Sequence, residues 1–134
     1  MSTDLRTVRA AEVMTKSLVW VQARETLRAA ALRMKQQRVR ALLVAGDQPG
    51  DLPGIITGKD IVNLLGSEDP GILDHTTVGD VMTRPAFCVP ASTNLVDCIN
   101  LMRMGGVRRV PVLDGTTVVG ILSASDVFDC ALRD

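Results

Sequence analysis

At 134 residues the chain has the size of one compact domain, or of two very small ones sharing a core. Fifteen basic and fifteen acidic side chains cancel, and only 2% of residues are aromatic. That balance argues against a general nucleic-acid binder, which needs positive charge and stacking rings. No apolar run approaches a membrane span, and the N-terminus lacks the apolar core of a secretory signal. Cys88, Cys98 and Cys130 are odd in number and show no CxxC spacing, so neither a disulfide framework nor a zinc site is indicated. The expected setting is the cytoplasm, soluble and reduced.

In chain order, Val13-Met14-Thr15 leads into LVWV, a short β-rich run that holds Trp20, the single tryptophan. Thr26 is a good N-cap, and Leu27, Ala30, Ala31 and Met34 at spacings of three and four put an apolar stripe on the helix that follows. RALLVA and PGII read as strands on either side of a turn, and DIVNLL as a second helix. The connector SEDPGILDHTT carries His75, which has no second ligand at metal spacing and reads as a surface residue.

The same string then repeats. Val81-Met82-Thr83 leads into AFCV, Asn94 caps a helix striped with Leu95, Cys98, Ile99 and Met102, RRVPVLD and VVGIL read as strands, and SDVFDCAL closes as a helix. Laying 13–44 on 81–112 gives 10 identities in 32 positions, from Val13/Val81 through Met34/Met102 and Arg40/Arg108 to Val44/Val112. Unrelated sequences would share about two. The loop AGDQPGDLP then shifts the register by two, and Gly54, Ile55, Thr57 and Asp60 fall on Gly120, Ile121, Ser123 and Asp126. The chain is a duplication of a β-α-β-β-α unit, with repeats over 11–66 and 79–132 and a connector over 67–78.

The repeated hydroxyl and aspartate have two readings. A Ser or Thr N-cap with an acid three residues on is a capping box, which satisfies free N–H donors at a helix start. Equally, a helix N-terminus with a hydroxyl is an anion site, and an aspartate accepts from both hydroxyls of a ribose. Capping boxes usually carry the longer Glu or Gln, which makes two aspartates slightly off that pattern.

The lead-in VMT, the strand and turn RRVPVLDG, and G-[IV]-[LI]-[ST]-x-x-D into the last helix, in that order and twice over, resemble a cystathionine β-synthase (CBS) domain. The tandem pair resembles a stand-alone Bateman module over nearly the whole chain, 11–132. The resemblance implies an α/β (α+β) fold of two repeats packed as a pseudo-two-fold pair. It also implies a regulatory sensor rather than an enzyme, with no required cofactor. The ligand would be an adenosyl nucleotide of the AMP, ADP, ATP or S-adenosylmethionine class.

By the same resemblance Thr57 and Ser123 contact phosphate, Asp60 and Asp126 hold the ribose, and Ile55 and Ile121 line the adenine pocket. Arg40 and Arg108 reach the phosphates. Lys59 and Arg109 are weaker candidates, because Ala41 stands opposite Arg109. Trp20 is expected near the adenine pocket of the first repeat. The first repeat departs from the pattern at Leu43, where the family commonly has the proline found at Pro111. With no attached effector domain, the readout implied is an effector protein in trans or self-association, commonly as a homodimer. The rival readings are an oligomerisation scaffold with unoccupied pockets and a nucleic-acid-binding adaptor, the latter disfavoured by the neutral charge.

Overall fold

The computed structural model describes residues 3–133. In chain order its elements are α1 (Ala10–Val13), β1 (Trp20–Val21), α2 (Leu27–Gln37), β2 (Ala41–Val44), β3 (Gly54–Thr57), α3 (Gly58–Leu65), α4 (Ile72–His75), α5 (Val78–Val81), β4 (Val89–Pro90), α6 (Leu95–Gly105), β5 (Arg109–Asp114), β6 (Thr117–Ser123) and α7 (Ala124–Ala131). Each repeat is thus β-α-β-β-α, a mixed α+β arrangement. The one-turn helices α1, α4 and α5 are additions that the sequence periodicity does not signal, because four residues are too few to show a stripe.

The chain divides into two compact units that cut across the sequence repeats. One is Val19–Pro85; the other joins Met1–Leu18 to Ala86–Asp134. In Val19–Pro85 a three-stranded sheet runs β1-β2-β3, with β1 parallel and β3 antiparallel to β2. The other unit repeats this as β4-β5-β6, with an irregularity between Val112 and Leu113. Parallel pairing of the first two strands follows from the intervening helix, whereas the second and third strands join through a tight connection.

The helices start where their caps predict. Thr26 Oγ1 accepts from Ala29 N at 3.1 Å, and Asn94 Oδ1 from Asp97 N at 3.0 Å. Both end on a left-handed residue, Arg38 with φ 57° after α2 and Gly106 with φ 63° after α6. Leu27 and Leu95, the first residues of the two stripes, are fully buried at equivalent places in separate cores. One core gathers Val21, Met34, Leu42, Ile56 and Ile61; the other gathers Val89, Met102, Val110, Leu122 and Val127. The helix stripes therefore fill the space that a chain this poor in aromatics must fill with aliphatic and sulfur-bearing side chains.

Candidate functional site

In each unit the backbone turns a corner from a strand directly into a helix. The carbonyl of Arg40 accepts from Gly58 N, and that of Arg108 from Ala124 N, both at 2.8 Å. The last strand residue is the N-cap. Thr57 Oγ1 accepts from Asp60 N at 3.3 Å, and Asp60 Oδ2 accepts from Thr57 N at 2.8 Å. Ser123 Oγ accepts from Asp126 N at 3.1 Å, and Asp126 Oδ2 from Ser123 N at 2.9 Å. Both are complete capping boxes, so the notion that aspartate is off-pattern there is corrected. With the N-cap extended, its amide sits close enough to the third helical residue for the shorter acid to reach. Thr77 and Asp80 build a third such box, at 3.1 and 3.3 Å.

What separates the two motif boxes from the third is burial. Asp60 and Asp126 are half-buried, whereas Asp80 is exposed. Each half-buried carboxylate spends Oδ2 on its helix. Among the described residues, Asp126 Oδ1 meets only the Thr15 hydroxyl, at a long 3.5 Å.

The lead-in segments complete each corner, and residue-by-residue reasoning missed them. Thr15 and Ile121 exchange two backbone hydrogen bonds, at 2.8 and 2.9 Å; Thr83 and Ile55 do the same, at 2.9 and 3.0 Å. A Cβ on Gly54 would lie 3.1 Å from Met82 Sδ and 3.3 Å from the Thr83 carbonyl. On Gly120 it would collide with Met14 Sδ and sit 3.0 Å from the Thr15 carbonyl. The glycine that leads each motif is there because the lead-in methionine and backbone lie against it. The signal was the identity of VMT in both repeats.

The structure therefore brings together Ile55, Thr57 and Asp60 with Thr83, and Ile121, Ser123 and Asp126 with Thr15. Each arginine borders a groove that also takes in the first residue after its corner, Gly58 or Ala124. Arg40 lines a groove of about 510 Å³ between α2 and α3, with Met34, Arg38, Ile61 and Leu65. Arg108 lines its counterpart of about 480 Å³ between α6 and α7, with Met102, Arg103, Val127 and Phe128. Lys59 is exposed in the first turn of α3, and Arg109 sits on β5 opposite Ser123. Trp20 stands on β1, with β2 between it and β3, about 10 Å away at the usual strand spacing. It lies on the sheet edge opposite the Thr57 corner, not beside it.

The thiols belong to the packing. Cys98 is fully buried, and burial with the nearby Asp97 charge pushes its pKa up to about 11. Burial likewise raises that of Cys88. His75 Nδ1 lies 3.4 Å from Asp69 Oδ2 on the surface. Among the described residues no cluster of three or more His, Cys, Asp or Glu is arranged to hold a metal ion, and no helix is long and apolar enough to cross a membrane.

The sequence profile of the CBS domain matches residues 10–67 and again 78–133. The chain belongs to the CBS-domain family. It is 32% identical over 120 residues to hypoxic response protein 1 of Mycobacterium tuberculosis, covering 88% of this CBS-domain pair and 81% of that protein. A hexameric CBS-CP12 protein from bloom-forming cyanobacteria superposes with a TM-score of 0.83 at 30% identity, over 91% of this chain and 71% of that one. The CBS domain pair of protein MJ0100, solved with 5′-methylthioadenosine and S-adenosylmethionine, superposes with a TM-score of 0.77 over 91% of this chain and 94% of that one. At 22% identity it speaks for the fold alone.

Proposed function

We propose that this CBS pair is a regulatory module that binds an adenosyl ligand at its Thr/Ser-x-x-Asp corners and works by binding rather than turnover. The observation that carries the reading is the half-buried aspartate in each unit, which caps its helix with Oδ2 and leaves Oδ1 for a further donor. A ribose supplies two such donors, and the helix N-terminus beside it favours a phosphate. Ile55 and Ile121, held by Thr83 and Thr15, would line the base. That a CBS pair of the same fold holds two adenosyl compounds supports the assignment. Arg40 and Arg108, which share their grooves with Gly58 and Ala124 at the helix starts, would serve the phosphate, with Lys59 and Arg109 as secondary contacts.

A sensor shifts a conformational equilibrium only through its differential affinity for two states. The readout in this proposal is an effector protein or self-association. Val62 and Leu65 on α3, and Phe128 on α7 with Leu132 just after it, are more than half exposed. Apolar faces of this kind favour a homodimer. Light scattering at micromolar concentration should then return about twice the chain mass of 14.4 kDa.

The decisive experiment is a thermal-shift and calorimetry series with AMP, ADP, ATP, methylthioadenosine and S-adenosylmethionine. A ligand at a hundred times its Kd should add about 2.7 kcal/mol of stability. Asp126→Ala should cost the apo protein about 0.5–2 kcal/mol as a lost cap and weaken the ligand about tenfold or more. Asp60→Ala should act in the same direction but less, because the second repeat matches the family pattern more fully. Asp80→Ala removes a cap of the same build and should leave affinity unchanged. Equal affinity in all three variants would reduce the motif to helix capping and leave the scaffold reading standing.

A further inference from the structure

One region of Val19–Pro85 carries side chains that the aligned positions of the second repeat lack, and it has no part in the nucleotide reading. At the β1 edge of the sheet, Trp20, Gln22, Arg24, Glu25, Arg33 and Ala45 line a groove of about 590 Å³, within the range of small-molecule sites. Trp20, the chain's only tryptophan, is 40% exposed. The aligned residue in the second repeat is Cys88, so the β-α-β-β-α fold does not itself require an indole there. An aromatic ring left half in water forgoes much of its burial energy.

The wall beside it is tied together by hydrogen bonds. Arg33 donates from both terminal nitrogens to Glu25, at 3.1 and 2.7 Å, and again to the Trp20 carbonyl at 2.9 Å. Glu25 also accepts from Gln22 N at 2.7 Å. The residues aligned with Glu25 and Arg33 are Thr93 and Leu101, so this clamp too is private to the first repeat. Glu25 and Arg33 cancel each other, which leaves Arg24 as the unbalanced charge of the lining. Arg24 is exposed and forms no ion pair among the described residues. It also borders the adjoining depression along Ala45, Gly46 and Asp47.

We propose that this groove is a second ligand site, for a small molecule that joins a flat aromatic ring to a single anionic group. The ring would lie on the Trp20 indole, and the anion would pair with the Arg24 guanidinium, whose fork suits a carboxylate. One negative charge matches the net charge of the lining, while a second would meet Glu25. Nothing in the Thr57 or Ser123 corner takes part, so either site can fail without the other.

The full chain is titrated with 2-naphthoate, followed by Trp20 emission and by calorimetry. Saturable binding is expected below about 1 mM. The neutral 2-naphthamide should bind at least about tenfold more weakly, matching the loss of one charge-assisted contact. Arg24→Gln, at an exposed position that leaves the core intact, should weaken the acid about tenfold and leave the amide unchanged. Trp20→Val should abolish the calorimetric signal. Asp60→Ala and Asp126→Ala should leave naphthoate binding as it is. No saturable binding up to about 1 mM, equal binding of acid and amide, or loss of binding in Asp60→Ala would each overturn the proposal.

Discussion

Val19–Pro85 and the unit of Met1–Leu18 with Ala86–Asp134 agree in backbone bonds and disagree in side chains. Both close the strand-to-helix corner with a 2.8 Å bond, cap the helix that leaves the corner with a Ser/Thr-x-x-Asp box, and pin the isoleucine two residues before the cap to a lead-in threonine. They part at the rim. The first has Trp20 and the Glu25–Arg33 clamp where the second has Cys88, Thr93 and Leu101, and α2 ends on left-handed Arg38 where α6 ends on Gly106. What duplication retained is the machinery of the corner; what drifted is the surface each copy shows.

The largest test of that sameness is at the motif glycines. Gly120→Ala should destabilise by about 1–3 kcal/mol, because its Cβ meets Met14 and the Thr15 carbonyl, while Gly54→Ala, with more room at Met82, should cost less. Combining Gly120→Ala with Met14→Ala should recover part of the loss in a chemical-denaturation cycle, and additive losses would mean that the methionine is not the obstacle.

A smaller difference should appear with acid. Hydrogen bonding to Arg33, against an opposing cost of burial, holds Glu25 below its ordinary value of 4.5. A depressed folded pKa contributes stability that is present above the unfolded value and lost as pH falls through the folded one. Glu25→Gln should therefore cost on the order of 1 kcal/mol at neutral pH, and that cost should shrink as pH falls below the ordinary carboxyl range. Hydrogen exchange should localise the effect to Val19–Pro85, since the second repeat has no such pair. An equal effect in both units would erase the asymmetry.

The smallest effect concerns the helix ends. Arg38→Gly should stabilise by about 0.5 kcal/mol, the relief of a left-handed side-chain-bearing residue partly offset by the freer unfolded chain. Gly106→Arg should destabilise by about 1 kcal/mol. Thermal melts of the pair would show whether the two caps are interchangeable.

The order of elements, the helix stripes and the N-caps Thr26, Asn94, Thr57 and Ser123 were legible in the sequence because each depends on neighbours within three or four positions. The duplication was legible for the same reason, since it is a comparison of strings. Half of the candidate site followed: hydroxyl and aspartate are three residues apart and share one helix turn. The reason for Gly120 did not follow, because its neighbour Met14 is brought to it only by pairing between Thr15 and Ile121 across the whole chain. Nor did the groove that Arg40 shares with Met34, Gly58 and Leu65, or the placing of Trp20 on the far sheet edge from Thr57. Local rules place a residue on an element. Which element then lies against it is decided by long-range strand pairing and by the burial of each unit's core, and no short window of sequence contains either.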